Sequence, residues 1–440
     1  MGAGSLFTDD ANPGAPYWWE AVDWPTLDAP PPGKVDLLVI GAGYTGLSAA
    51  IAAHDAGAKV AVLDAGIAGQ GASSRNGGMV GPHPKLSWEA LAKDFGDDTA
   101  DEIFKESGEA LFWVRDLIAH EGIDCDFQTT GRIQLAYTSN HFEAQKALAA
   151  KVGEKSAVDC RILEKDELKS EIVTPMYKGG MVFSEHGALH PAKYHRGLLE
   201  AVLRRSIPVS APCAAEDVTR LSGSHRIRTP KGEVRADKVV LATNGYTTRP
   251  FSWFMARVFP VPSFLIATEP LSPNLIGEIA PGCRMMVETR ARRSYFRISP
   301  DGSRIIFGGR AALVDIAPAR AARWLRDTMC QIWPTLEGTR LSHVWSGYTG
   351  FSFGQMPVVG ERNGLHYALG YSGSGTVMAP YLGAKAAWQS LGLSKGDTAF
   401  SRTRLDRRWY HRGSAPHFLK AGDLWYRHWV DRRENLAARR

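Results

Sequence analysis

No two of the five cysteines lie close enough in sequence to act together. Cys125, Cys160, Cys213, Cys283 and Cys330 are separated by 35, 53, 70 and 47 positions, which leaves neither a CxxC redox pair nor a zinc-type ligand cluster. Each is expected to be a buried apolar residue, and no metal site is expected. Apolar runs approaching the ~18 residues of a membrane span are also missing. The opening MGAGSLFTDDANPGAPYWWE has no basic stretch followed by an apolar one, so no secretory signal is read and the cytoplasm is the expected address. Internal repeats and low-complexity tracts are absent.

What is present reads as a soluble globular protein: 440 residues, 44% hydrophobic and 22% charged. That length exceeds one compact core and suits two domains. The formal charge of +6 is concentrated at one end. Residues 401–440 hold ten Arg and one Lys against three Asp and one Glu, so the rest is near neutral. A basic tail with Trp409, Tyr410, Trp425, Tyr426 and Trp429 has the composition of a nucleic-acid or anionic-membrane binder. The plainer reading is a terminal helix that docks its aromatics on the body and leaves its arginines in solvent.

The stretch DLLVIGAGYTGLSAA, residues 36–50, carries the first chemistry. Val35 to Ile40 reads as a strand buried on both faces. Gly41 permits a tight turn, Gly43 lets backbone approach a pyrophosphate, and Gly46 lets a helix of about residues 44–55 sit close to the strand. The start of that helix offers free N–H groups to phosphate. A second strand, KVAVLDAG, ends at Asp64, whose carboxylate can accept from ribose hydroxyls. Strand, spacing and terminal acid together predict dinucleotide binding, without separating NAD from FAD.

Three later segments favour FAD. GQGASSRNGGMVGPHP (69–84) is a second glycine-rich run, ADKVVLATNGYT (236–247) is a strand ending in a small-residue turn, and LHYALGYSGSGTVMAPYLGA (365–384) is a strand, three glycines and a helix. Close backbone approaches at so many places suit a long ligand lying across a sheet.

In this order, together with SEHGALHPAKY, YFRISPDGSRIIFGG and WSGYTGFSFGQMPVVG, these motifs resemble the D-amino-acid oxidase superfamily of FAD enzymes over about residues 33–395. They are most similar to the bacterial group typified by gamma-glutamylputrescine oxidase. The resemblance implies an α/β fold, with a doubly wound, Rossmann-like FAD domain interleaved with an antiparallel-sheet α+β substrate domain. The expected FAD domain comprises 34–88, 176–250 and 340–400, and the substrate domain 89–175 and 251–339. Residues 1–33 would form an arm whose PYWWE packs on the body or a neighbour, and 401–440 the basic tail. The periodic stretch 88–122, with Leu91, Ile103, Leu111, Val114 and Leu117 inward, would cap the active-site mouth.

The same resemblance implies the site. Gly41, Gly43, Gly46 and Asp64 would hold the ADP half of FAD, and the backbone of Val218 would meet the adenine. Ala72, Ser73, Arg75, Asn76, Gly77 and Gly78 would lie along the pyrophosphate, ribityl chain and flavin edge. Ala242 and Thr243 would approach from the strand-end turn, and Gly373, Ser374, Gly375 and Thr376 from the far side. Arg75 suits a phosphate or a negatively charged reduced flavin; its alternative is a surface salt bridge. Some relatives attach flavin covalently through Cys near 345–360. None stands there, so noncovalent FAD is expected, with His83 the only histidine close to the RNGG loop.

The reaction implied is oxidation of a C–N bond in an amino acid, an N-alkyl amino acid or a polyamine derivative. Hydride transfer to flavin N5 would give an imine that hydrolyses to an aldehyde or keto acid. Only a neutral amine can expel hydride, so a water-poor, apolar and aromatic pocket is expected. Tyr295, Arg297, Trp345, Tyr348 and Phe351 are its candidate lining, with Arg297 placed to pair a substrate carboxylate or else an exposed strand arginine. His190 and Lys193 are more simply read as a helix start at Pro191. Lys85 is the lysine nearest the RNGG loop. O2, a quinone or an electron-transfer protein would reoxidise the flavin. Alternatives are an NAD(P)H-dependent flavin monooxygenase or reductase, though no second GxGxxG follows a strand, and an FAD-containing nucleic-acid or membrane binder acting through the tail.

Overall fold

A computed structural model describes residues 5–81, 84–156, 158–413 and 415–438. β1 (Lys34–Ile40) runs into α1 (Tyr44–His54), and β2 (Val60–Leu63) returns parallel to β1, with Leu37 opposite Val60 and Ile40 opposite Leu63. Leu37, Leu38, Val39, Val62 and Leu63 are fully enclosed, as strands covered on both faces require. The turn needs glycine at two points. Gly41 has φ +110°, and a Cβ at Gly46 would fall 1.7 Å from the Gly41 carbonyl oxygen, so α1 meets β1 at a separation only glycine permits.

After α2 (Pro191–Arg204), β3 (Gly232–Leu241) lies parallel on the other side of β1. The chain then leaves this sheet. β4 (Val258–Thr268), β5 (Ser294–Ile298), β6 (Ile305–Gly309) and β7 (Leu341–Ser352) pair antiparallel in a nine-stranded sheet. It returns in β8 (Leu365–Leu369), parallel to β3, and in α3 (Gly375–Ser390), which packs along α1. The architecture is α/β, an eight-stranded dinucleotide sheet interleaved in sequence with a second, largely antiparallel sheet.

The sheets divide the chain differently from the expected limits. Strand Gly179–Phe183 and β7 both belong to the nine-stranded sheet, because their backbone partners are Arg132–Ala136 and β4. The arm joins it too: Phe7–Pro13 pairs parallel with β7, and Trp18 of PYWWE is fully buried, edge-on to Trp345. The helical stretch after residue 88 breaks at Gly96 into Trp88–Phe95 and Asp97–His120. Leu91, Ile103, Leu111 and Val114 are buried as expected, while Leu117 is half-buried. The longer helix packs on α3. The cysteines are free, but only Cys125 and Cys213 are buried; Cys283 sits exposed at a turn.

The tail follows the plainer reading in part. α4 (Phe418–Trp425) and α5 (Asp431–Ala438) dock on the second sheet. The Asp423 carboxylate accepts from the Leu313 amide, Asp431 pairs with Arg292, and Glu434 accepts from the Ala291 amide. Trp409, Trp425 and Trp429 stay exposed. No helix among the described residues is long and apolar enough to cross a membrane.

The close α1–β1 meeting sets a first expectation. Gly46→Ala lowers stability by about 1–3 kcal/mol through overpacking in urea unfolding, whereas Gly33→Ala, with no atom within 4 Å of the added methyl, stays near the native value.

Candidate active site

Two cavities meet between the sheets. The larger, 560 Å³, runs over the ends of β1, β2 and β3 to the start of α3. The smaller, 250 Å³, lies between the loop 72–77 and the strands β4, β5 and β7. Ala72, Arg75, Asn76, Tyr371 and Gly373 line both, so the two adjoin.

The larger cavity is built on the βαβ turn. The Asp64 carboxylate accepts from the amides of Ala42 at 2.8 Å and Gly66 at 3.0 Å, while burial raises its pKa. Ser73 Oγ accepts from the Tyr44 amide, at the start of α1. From α2, His195 Nε2 donates to the Ala42 carbonyl at 2.7 Å, fixing the turn from behind.

The loop after β2 is held from both sides. Asn76 Nδ2 donates to the Ala72 and Ser73 carbonyls, and its Oδ1 accepts from the Gly78 amide. Arg75 donates to the Gln70 carbonyl at 2.7 Å and the Ser346 carbonyl at 3.1 Å, with its guanidinium 4.4 Å from the Trp19 ring. Arg75 is thus neither a surface ion pair nor idle, and it still faces both cavities.

Most expected cofactor residues line this space. Gly41, Gly43, Asp64, Ala72, Ser73 and Arg75 do, as do Asn76, Ala242, Thr243, Gly373, Gly375 and Thr376; Gly77 and Ser374 line the smaller cavity. Three do not. Gly46 and Gly78 make close packing contacts, Gly46 with Gly41 and Gly78 with Leu189. Val218 pairs with Ile227 on an edge hairpin, and Cys213, Ala214 and Ala215 line the cavity instead. The adenine-side expectation therefore moves a few residues back along the chain.

The smaller cavity corrects two of five lining candidates. Tyr295, Tyr348 and Phe351 line it. Arg297 does not: buried at 6% exposure, it spends its guanidinium on the carbonyls of Gly78, Leu189 and Ile298. Trp345 does not either; buried at 1% exposure, it donates from Nε1 to the Arg75 carbonyl at 2.9 Å and thereby positions the loop. Tyr295, its pKa pushed up to about 12 by burial, shares a hydrogen bond with Ser263 Oγ. His190 caps α2 by accepting from the Lys193 amide, and Lys193 pairs with Asp126, as the helix-start reading has it. His83 lies outside the described residues. No residue of the helices over 88–120 lines either cavity, so they do not cap this mouth.

Sequence reasoning passed over the cavity's charge. Arg132, Arg293 and Arg310 line it beside Arg75 and Lys85, and no carboxylate does among the described residues. Lys85 Nζ lies 4.1 Å from the Phe351 ring and 3.5 Å from the Ser372 carbonyl. Burial, then Arg310 and Arg293, push its pKa down to about 6. Burial and Arg293 push Arg132 down to about 9. The available signal was parity: Arg293 immediately precedes β5 and stands two residues before Tyr295. Tail residues back this wall: Leu419 belongs to the apolar cluster that contains Phe351, and Tyr426 packs against that cluster.

The fit to a flavin dinucleotide is steric and polar together. A Cβ at Gly43 would lie 2.9 Å from Ser73 Oγ, the first turns of α1 and α3 face the same trough, and the trough opens into a chamber large enough for chemistry. A dinucleotide trough feeding an enclosed cationic and aromatic chamber defines an oxidoreductase that uses a flavin nucleotide.

The chain belongs to the family of FAD dependent oxidoreductases, DAO, whose model matches residues 36–388. It is similar to "Probable oxidoreductase OrdL" of Rhizobium meliloti (strain 1021), 29% identical over 86% of this chain and 88% of that one. It is also similar to gamma-glutamylputrescine oxidoreductase of Escherichia coli (strain K12), 28% identical over 77% and 80%. Glycine oxidase from Geobacillus kaustophilus shares the fold at TM-score 0.71 and 20% identity, covering 86% of this chain and all of that one.

Two expectations follow from the buried groups. His190 and His195 are held down at about 4 by burial, against about 6.5 unfolded. Between those values the unfolded chain takes up protons the folded one refuses, so stability is full above about pH 6.5 and lost toward pH 4, by roughly 1–3 kcal/mol per histidine. Urea midpoints should fall from about pH 7.5 to 4.5, and His195→Gln should flatten part of that slope. Separately, Tyr426→Ala should raise the substrate KM severalfold while flavin content stays unchanged, because it loosens the apolar cluster that supports Phe351 and lines no part of the trough.

Proposed function

We propose that this chain oxidises the C–N bond of an amine or amino acid, with noncovalent FAD in the larger cavity and the amine in the smaller. The observation that carries this reading is that the two cavities adjoin, sharing Ala72, Arg75, Asn76, Tyr371 and Gly373 in their walls. When bound, the flavin supplies a two-electron acceptor for the hydride leaving the carbon that bears the amine. Gly41, Gly43 and the first turn of α1 would hold the pyrophosphate, Asp64 the ribose, and the loop 72–77 with Gly373–Thr376 the remainder. Among the described residues, the smaller cavity's wall holds no Cys or His for covalent attachment.

The chamber's own task is to select the neutral amine. Lys85 is an alkyl amine already placed there, and burial beside Arg310 and Arg293 lowers its pKa to about 6. A substrate amine in the same surroundings is driven toward its neutral form by the same desolvation and the same cations. Tyr295 and Phe351 exclude water from the reacting carbon. The imine product hydrolyses to an aldehyde or keto acid, and O2, a quinone or an electron-transfer protein takes the electrons onward.

Anaerobic mixing of the yellow holoenzyme with a panel of amino acids, N-alkyl amino acids and polyamines should bleach the flavin; bleaching by NADPH alone would point to a reductase instead. The bleaching efficiency should rise with pH through about 6 as Lys85 loses its proton, and Lys85→Met should remove that limb. Trichloroacetic acid should leave a colourless pellet.

A further inference from the structure

Two of the cations in the smaller cavity have nothing to balance them. Arg75 is committed to two carbonyls and the Trp19 ring, and Arg132 lies over the Phe183 ring at 4.9 Å. The guanidinium groups of Arg293 and Arg310 make no hydrogen bond and no ion pair with any described residue; Arg310 has the Phe351 ring at 5.0 Å and the Tyr295 and Tyr426 hydroxyls in its vicinity. Burial lowers the pKa of both, and Arg293 lowers that of Arg310 further. Both side chains are half-buried in the cavity wall, and charges of one sign held partly out of water without a partner are unfavourable, so the site favours a ligand that brings anions.

We infer that the smaller cavity takes an amine bearing two acid groups, one answered by Arg293 and the other by Arg310. The count comes from the reactive form of the substrate. An amino acid with its amine neutral and one carboxylate carries a single negative charge, which leaves one guanidinium uncompensated; a second acid group closes the balance. Neither arginine lines the larger cavity. The start of α3 stands where the cavities join and offers its amides to any charge on the cofactor, which frees both arginines for substrate. A second ammonium group on the substrate would meet only cations here. Guanidinium groups also suit carboxylates geometrically, through bidentate pairing.

This inference rests on the amine-oxidation reading, and binding can be measured apart from turnover. The holoenzyme is titrated with unreactive dicarboxylates of three to six carbons and with their monoamides, which remove one charge at nearly constant shape. Affinity is read by calorimetry and by perturbation of the flavin spectrum. At least one dicarboxylate should bind tenfold or more tighter than its monoamide. Arg293→Gln and Arg310→Gln, checked for native flavin content and melting temperature, should each abolish that preference, the dicarboxylate losing tenfold or more and the monoamide clearly less. Equal binding of every acid and its monoamide by the native enzyme overturns the inference. So does an equal loss of both ligands in the variants. In parallel, aspartate, glutamate and their N-methyl forms are compared with the corresponding side-chain amides for anaerobic flavin bleaching. Bleaching by amines without regard to the second acid removes the two-acid inference and leaves amine oxidation standing. A dicarboxylate preference with no bleaching by any amine does the reverse.

Discussion

One loop joins the two sheets, and the site exists because that loop is clamped from both. The loop over residues 69–78 leaves the dinucleotide sheet, yet its fixings come largely from elsewhere: Trp19 of the arm donates to Ser74 Oγ, Trp345 of β7 to the Arg75 carbonyl, and Arg297 of β5 to the Gly78 carbonyl. Arg75 returns a hydrogen bond to Ser346. Buried donors and acceptors of this kind each contribute about 1 kcal/mol when paired and more when orphaned. The loop is therefore rigid relative to both walls, and the trough and the chamber keep their alignment.

The chamber departs from ordinary protein interiors in being cationic without a counter-charge among the described residues. Stability alone does not favour such an arrangement, and marginal overall stability makes it a selective burden. It is tolerated because Arg293 stands just before β5 and Arg310 just after β6, at the ends of paired strands, and because desolvation weakens each group's hold on its proton. The same field acts on any amine that enters. Under the proposed amine oxidation, substrate recognition and activation of the amine would be one electrostatic device, with Lys85 as its resident example.

How much of this was legible beforehand depends on the range of the interactions. The βαβ unit was, because Gly41, Gly46 and Asp64 are dictated by sterics within one local unit. The order of the glycine-rich bends was also sufficient for the family and the cofactor. The chamber was not, because Arg293, just before β5, alternates with Tyr295 and Arg297 within it and nothing local says where along that run the cavity ends. Arg297 lies past that end, under carbonyls contributed by residues 78 and 189. Trp345 likewise reads as an aromatic wall until its partner, 270 positions away, is known. Val218 fails for a similar reason: it sits on a hairpin whose approach to the trough stops at Ala215.

The crowding of indoles around the clamped loop has an optical consequence. Trp18, Trp19 and Trp345 all lie on or beside it, and indole emission overlaps the near-ultraviolet absorption of oxidised flavin. Excitation energy in these rings drains to the nucleotide whenever the trough is filled, so the protein's own fluorescence is a gauge of cofactor occupancy that requires no label and no substrate.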